Sequence, residues 1–122
     1  MNTTSKFSLK SFWYAFNGLK EVSATQPNFK IHIFFTIFVI AAGLFFNITV
    51  AAWAMLLFAI GLVTAAECFN TALEYLTNLV SPQHNTIAGK VKDLAAAAVL
   101  ICSVIAFAIG LIVFIPKISS LF

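Results

Sequence analysis

Arginine is missing from this sequence, and acidic residues are scarce. The 122 residues include seven lysines and four acidic residues, and only 9% are charged, whereas soluble domains carry about 25%. A basic face that binds nucleic acid usually contains arginine, so no nucleic-acid partner is expected. Because 61% of the residues are hydrophobic, a chain this short cannot bury its apolar surface in one soluble core. These features predict a single integral membrane domain over residues 1–122.

Long apolar runs predict an all-α protein with three transmembrane helices behind an amphipathic surface helix. The surface helix is expected at about 8–25, where apolar side chains share one face: Leu9, Phe12, Trp13, Phe16 and Leu19. Trp and Phe opposite lysine favour a helix lying in the membrane interface. The spans are expected at about 31–46, 50–80 and 92–115, with a tight turn at 47–49. Pro27 is expected to end the surface helix, and Pro116 the third span.

The distribution of lysine predicts the orientation of the spans. Four lysines precede the first span, none lies in the 47–49 turn, and two immediately precede the third span or open it. The excess of positive charge on cytoplasmic segments therefore places the N-terminus and the 81–91 segment in the cytoplasm. Lys117, alone after the third span, is a minor indication of the opposite orientation.

A polar stripe runs along the second half of the second predicted span. Glu67, Asn70, Glu74 and Asn78 are spaced 3, 4 and 4 residues apart, so on a helix they lie within about 80° of one another. Glu67 follows Val50 by 17 residues, about 26 Å along a helix, close to the boundary of a hydrocarbon core about 30 Å thick. Ionisable side chains in membrane helices usually face the bundle interior and are usually functional.

Lys92 and Asp93 open the third span at the same expected level as this stripe. Carboxylates that hold Mg²⁺, a lysine that neutralises phosphate and a carboxylate that accepts a hydroxyl proton are the groups needed for phosphoryl transfer. The residue types alone leave two alternatives open. The stripe could be interhelical hydrogen-bonding glue with Glu67 protonated, or Glu67 could be the intramembrane carboxylate of a small proton-coupled transporter.

The segment AECFNTALEYLTNLVSPQHNTIAGKVKDLAAAAVL resembles the signature of the prokaryotic diacylglycerol kinase family. That signature is E-x-x-N-T-A-x-E, followed by K-D eighteen residues after its second Glu and by a run of small residues, and the spacing matches without a gap. YAFNGLK and PNFKIH also resemble the family. The resemblance implies a homotrimer at the bacterial inner membrane, with composite sites at subunit interfaces. The implied activity is phosphorylation of a membrane lipid alcohol, undecaprenol or diacylglycerol, with ATP and Mg²⁺.

The resemblance also implies roles for residues that match the family pattern. Glu67 is the expected general base, with Asn70 beside it. Glu74 is the expected Mg²⁺ ligand that bridges to the ATP phosphates. The expected nucleotide-binding residues are Tyr14, Gln83, His84, Asn85, Lys92 and Asp93 together with Glu74. For His84, an exposed loop histidine without a role is an equally good interpretation.

Two positions depart from the family pattern. Gln26 stands where the family usually has a glutamate as a second metal ligand, and Asn78 stands where it usually has an aspartate. An amide oxygen is a weaker ligand for Mg²⁺ than a carboxylate. The metal-ligand prediction is therefore Glu74 with Gln26, and a catalytically impaired member acting as a membrane scaffold stays open as an alternative function.

Overall fold

The computed structural model describes residues 9–122, and this part of the chain is helical apart from short connections. The helices are α1 (Leu9–Thr25), α2 (Pro27–Phe46), α3 (Val50–Val80) and α4 (Thr86–Ser119). The last three are each long and apolar enough to cross a membrane. The predicted all-α architecture of three spans behind a shorter helix is confirmed. Residue 8, the predicted start of the first helix, lies outside the described residues.

Two helices extend beyond the predicted spans at their polar ends. α2 begins at Pro27 rather than at residue 31, because proline suits the first position of a helix, where its missing N–H is not needed. α4 begins at Thr86 rather than at residue 92, because the Asn85 side chain accepts hydrogen bonds from the backbone N–H groups of Ile87 and Ala88 at 2.8 and 3.3 Å. The first turns of α4 thus occupy part of the predicted polar loop.

The prediction that Pro116 ends the third span is also wrong. α4 continues through Pro116 to Ser119, and the Ser120 N–H donates to the Pro116 carbonyl at 3.2 Å. Proline removes one backbone donor, but a single proline near the end of a transmembrane helix is tolerated when the following turn retains its hydrogen bonds.

The predicted tight turn between the first two spans is confirmed at residues 47–49. Asn47 has φ 51° and ψ 55°, a left-handed conformation that asparagine tolerates better than most residues. The N–H of Asn47 bonds to the Leu44 carbonyl, and that of Ile48 to the Gly43 carbonyl, which satisfies the last carbonyls of α2. The Thr49 hydroxyl then accepts from the Ala52 N–H at 3.2 Å and caps α3.

A close contact between α2 and α3 fixes this hairpin. A β-carbon at Gly43 would lie 2.7 and 2.9 Å from two carbons of the Trp53 indole and 3.2 Å from the end of Ile48. Only glycine lets the indole pack this closely against the α2 backbone. Ile48, Leu56 and Val113 form a small buried cluster beside it, so this contact is continuous with apolar packing at the turn end of the hairpin.

Most large apolar side chains in residues 9–122 are exposed. α3 and α4 pack most extensively against each other, whereas α2 makes fewer contacts with α3, and α1 packs on both α2 and α3. Leu9, Trp13 and Phe16, on the apolar face of α1, are all more than 60% exposed. Such surfaces are stable when lipid or other apolar protein covers them. The location of α1 in the membrane interface stays a prediction.

Candidate functional site

Glu67 is buried on α3 and contacts a histidine from α2. The glutamate is 4% exposed, and its Oε1 lies 2.9 Å from the Nε2 of His32. A buried carboxylate is costly unless it is paired or hydrogen-bonded, and His32 provides that partner. His32 precedes the end of α2 by 14 residues and Glu67 follows the start of α3 by 17, so the antiparallel hairpin brings them to nearly the same level.

Asn70 and Glu74 form the middle of the polar stripe. The Asn70 amide donates to Oε1 of Glu74 at 3.4 Å, one helical turn away. The Asn70 Oδ1 is buried and has no hydrogen-bond partner in the described part of the chain. An unpaired buried acceptor costs about 1–3 kcal/mol. The stripe therefore presents a carboxylate beside an amide oxygen that still lacks a donor or a cation.

The Asn78 end of the stripe contacts α4 through a lysine. The Lys92 Nζ donates to Oδ1 of Asn78 at 2.6 Å, which confirms that the lysine lies level with the stripe. Because Asn78 is neutral, this contact holds the ammonium group in place without neutralising its charge. Asp93, the next residue, is exposed at the same end of α4. The arrangement leaves a positive charge available for an anion such as phosphate.

Gln26 lies in the single-residue connection between α1 and α2. Its backbone is extended, and its side-chain amide donates weakly to Thr25 Oγ1 at 3.4 Å. The phenol of Tyr75 donates to Glu21 Oε1 at 2.8 Å and lies 3.4 Å from Thr25 Oγ1. Thr25 and Tyr75 are the direct neighbours of Gln26 and Glu74, the two predicted metal ligands. The bonds of Tyr75 therefore connect the backbone segments that carry these ligands. Glu21 is already engaged by Tyr75.

The donor set can be compared with the needs of Mg²⁺. Across residues 9–122 no group of three or more His, Cys, Asp or Glu side chains is placed to hold a metal ion by itself. Mg²⁺ is usually bound through one or two carboxylates together with substrate phosphates and water. One carboxylate at Glu74, near an unpaired amide oxygen at Asn70, fits a metal that arrives with ATP and does not fit a resident metal.

The remaining predicted nucleotide residues lie on α1 and in the α3–α4 connection. Tyr14 is 68% exposed on α1, and Gln83 and His84 are exposed in the α3–α4 connection. The Gln83 carbonyl accepts from the Ser81 hydroxyl at 3.2 Å. Asn85 caps α4 through its side-chain oxygen, so it has a structural role. Within the described residues, no hydrogen bond joins Tyr14, Gln83 or His84 to the stripe, and their nucleotide contacts stay predictions.

Sequence reasoning missed the contact of His32 with Glu67. The segment PNFKIH resembles the family, but the resemblance implies no role for its histidine. Counting residues outward from the 47–49 turn along both helices places His32 at nearly the same level as Glu67. It does not show that the two side chains face each other, because that depends on how each helix is rotated about its axis. The Glu21–Tyr75 contact was also missed, because nothing in the local pattern of α1 or α3 pairs these two residues.

Comparison with known proteins shows close relatives. The family model for prokaryotic diacylglycerol kinase matches residues 13–114. An undecaprenol kinase of Bacillus subtilis is 34% identical over 116 residues, which cover 95% of this chain and 94% of that protein. A diacylglycerol kinase of Synechocystis is 38% identical over 114 residues, 93% of this chain and 65% of that protein. A diacylglycerol kinase of Escherichia coli K12 is 22% identical over 107 residues, 86% of this chain and 88% of that protein.

Proposed function

The chain belongs to the prokaryotic diacylglycerol kinase family, and on that premise we propose that it transfers the γ-phosphate of ATP to the hydroxyl of a membrane lipid alcohol. The observation that supports this activity best is the polar stripe itself. It begins at the buried Glu67, and its other end, Asn78, accepts a hydrogen bond from Lys92. Along this stripe, the lipid hydroxyl, which must lose its proton, would meet the γ-phosphate of ATP, which must be held in place.

Glu67 is the proposed general base. Its carboxylate accepts the proton of the lipid hydroxyl while the lipid oxygen bonds to the γ-phosphorus and the bond from that phosphorus to the ADP oxygen breaks. The products are the lipid phosphate, ADP and a proton held on Glu67. Asn70, one turn further along α3, lies beside the reacting groups. Burial of Glu67 keeps water away from the hydroxyl, so that the lipid and not water is phosphorylated.

The nucleotide is proposed to lie at the Asn78 and Lys92 end of the stripe. Lys92 holds phosphate by charge, and its bond to Asn78 orients the ammonium group. When bound, Mg²⁺ neutralises charge on the transferring phosphate. Glu74 and Gln26 are the proposed ligands from this chain. The other proposed nucleotide-binding residues are Asp93, Tyr14, Gln83, His84 and Asn85.

The proposed working form is a homotrimer in the bacterial inner membrane, with the N-terminus and the 81–91 segment in the cytoplasm. The lysine distribution supports this orientation. The unpaired Asn70 Oδ1 and the widely exposed apolar surface support a site completed by another subunit or by substrate. Ala98, Cys102, Ala106 and Gly110 recur every fourth residue on α4 and would allow close helix packing.

Between the two lipid alcohols we favour undecaprenol. The Bacillus subtilis undecaprenol kinase matches this chain along almost the whole length of both proteins, whereas the chain spans only 65% of the Synechocystis diacylglycerol kinase. Diacylglycerol is the competing acceptor.

The test is transfer of radiolabelled γ-phosphate from ATP by the purified protein in detergent micelles. Undecaprenol and dioleoylglycerol are offered separately with Mg²⁺, and the lipid products are separated chromatographically. We expect label in the lipid fraction, more with undecaprenol. If neither alcohol gave labelled lipid, the kinase proposal for this chain would be refuted. The scaffold alternative, which Gln26 and Asn78 favour, would then be preferred.

A further inference from the structure

The contact between His32 and Glu67 joins two spans inside the site. The His32 Nε2 lies 2.9 Å from Oε1 of Glu67, and the side chains are 25% and 5% exposed. If the carboxylate is ionised, as a base must be, then Nε2 carries the hydrogen of this bond. His32 therefore donates to one of the two carboxylate oxygens, Oε1, and leaves Oε2 without this partner. The helix α2, which carries His32, contributes no other predicted catalytic residue.

The bond from His32 restricts rotation of the Glu67 carboxylate. Glu67 ends in a carboxyl group whose terminal torsion is broad and has no strong preference of its own. Along α3, the Thr71 hydroxyl donates to the Glu67 backbone carbonyl at 3.0 Å, and this bond leaves the carboxylate unconstrained. The His32 imidazole is thus the group of the described chain that fixes the direction of the carboxylate.

We propose that His32 is a positioning residue for the lipid kinase reaction, which holds Oε1 of Glu67 so that Oε2 faces the lipid hydroxyl. This inference rests on the proposed function, because it assumes that Glu67 is the base. A base held in one orientation accepts the proton at a fixed place, and small misplacements of reacting groups are costly to rate. His32 acts through Glu67 and not on the substrate.

The experiment compares three substitutions that differ in reach. In His32→Gln the side-chain amide nitrogen lies three bonds from Cβ, as Nε2 does, so it can donate to Glu67. In His32→Asn the amide is one bond too short, and in His32→Leu the donor is lost. We expect kcat with undecaprenol to fall about 10- to 100-fold in the Asn and Leu variants, as for loss of a hydrogen bond to a charged group, while His32→Gln stays within about threefold.

A separate readout distinguishes positioning from a structural role. The KM values for MgATP and for undecaprenol should stay near wild type in all three variants, since His32 contacts neither substrate. The matched control is Thr36→Val, one turn further along α2, where the hydroxyl donates to the His32 backbone carbonyl at 2.8 Å. This control should retain wild-type kcat. Thermal unfolding in micelles is measured for each variant.

Two results would overturn the proposal. One is wild-type kcat in His32→Asn or His32→Leu, which would show that Glu67 needs no partner. The other is an equal loss in His32→Gln and His32→Asn, which would show that the donor at the Nε2 position is not what matters. Glu67→Gln is assayed in parallel. An active Glu67→Gln protein would refute the base assignment and the His32 role together, whereas an inactive Glu67→Gln beside an active His32→Leu would refute the His32 role alone.

Discussion

Glu67→Gln tests the central residue of the proposed site while changing almost nothing else. Glutamine has the same shape as glutamate, so the buried volume on α3 stays filled. The amide oxygen of the glutamine can still accept from the His32 Nε2, which lies 2.9 Å from the carboxylate oxygen of Glu67 in the unaltered protein. The substitution removes only the negative charge and the ability to take a proton. We expect the fold and nucleotide binding to remain near wild type.

The expected loss of rate follows from the role of a general base. Such a group contributes about 10²- to 10⁴-fold, and the burial of Glu67 places this case at the upper end because no water can replace it. A 10⁴-fold loss corresponds to about 5.5 kcal/mol of transition-state stabilisation.

Stability should change much less than rate. The bond to His32 falls from about 1.5–3 kcal/mol for a charged acceptor to about 0.5–1.5 kcal/mol for a neutral one. The cost of burying a charge disappears at the same time, which offsets part of this loss.

The assay is phosphate transfer from radiolabelled ATP to undecaprenol in micelles, with nucleotide binding and thermal unfolding measured on the same preparations. Glu21→Gln is the matched control, since it makes the same chemical change at a carboxylate on α1, which accepts from the phenol of Tyr75 on α3. We expect this control to keep its activity. If Glu67→Gln retained more than about a tenth of the wild-type rate, the role of Glu67 as the base would be wrong.

Three further predictions concern the nucleotide, the metal and the helix hairpin. Glu74→Ala and Lys92→Ala should each raise the MgATP concentration needed for half-maximal activity and lower the rate, because a charge-assisted contact is worth about 1.5–3 kcal/mol; steady-state kinetics with varied MgATP and varied lipid measure both. Gln26→Glu should lower the Mg²⁺ concentration for half-maximal activity, since a carboxylate binds this cation better than an amide; a Mg²⁺ titration at fixed ATP compares the two forms. Gly43→Ala should destabilise the protein by about 1–3 kcal/mol, because its β-carbon would lie 2.7 Å from an indole carbon; unfolding in micelles is compared with Gly61→Ala, whose β-carbon meets nothing within 4 Å.

Each of these has an outcome that contradicts it. A change in lipid dependence with unchanged MgATP behaviour would remove Glu74 and Lys92 from the nucleotide side. Coincident Mg²⁺ curves for the wild type and Gln26→Glu would show that residue 26 is not at the metal. Equal unfolding behaviour of Gly43→Ala and Gly61→Ala would show that the indole moves aside without cost.

The polar stripe on α3 could be predicted from the sequence because it depends on one helix only. Residues spaced 3 and 4 apart share a face of any α-helix, and the bounds of α3 follow from the apolar run and from capping residues next to it. The number of spans and the turn at Asn47 were predictable for the same reason, since chain length, apolar runs and turn residues act locally. The helical spacing predicts that these residues share one face, and the resemblance to the family adds expected roles for them.

The ends of α4 were less predictable because they depend on the balance of weak local effects. The Asn85 cap starts the helix six residues earlier than the apolar run does, and one proline at residue 116 is not enough to stop a helix in an apolar setting. Hydropathy marks where a helix is buried in lipid, and capping marks where it begins, so the two bounds need not coincide.

Contacts between helices were decided by the tertiary structure alone. The pairs His32 with Glu67, Lys92 with Asn78 and Glu21 with Tyr75 each join two helices. Their formation depends on how each helix is rotated about its own axis, and that rotation is set by packing such as the indole on Gly43. A sequence pattern gives the angular position of a side chain on its own helix. Only the packed helices determine which side chain of a neighbouring helix faces it.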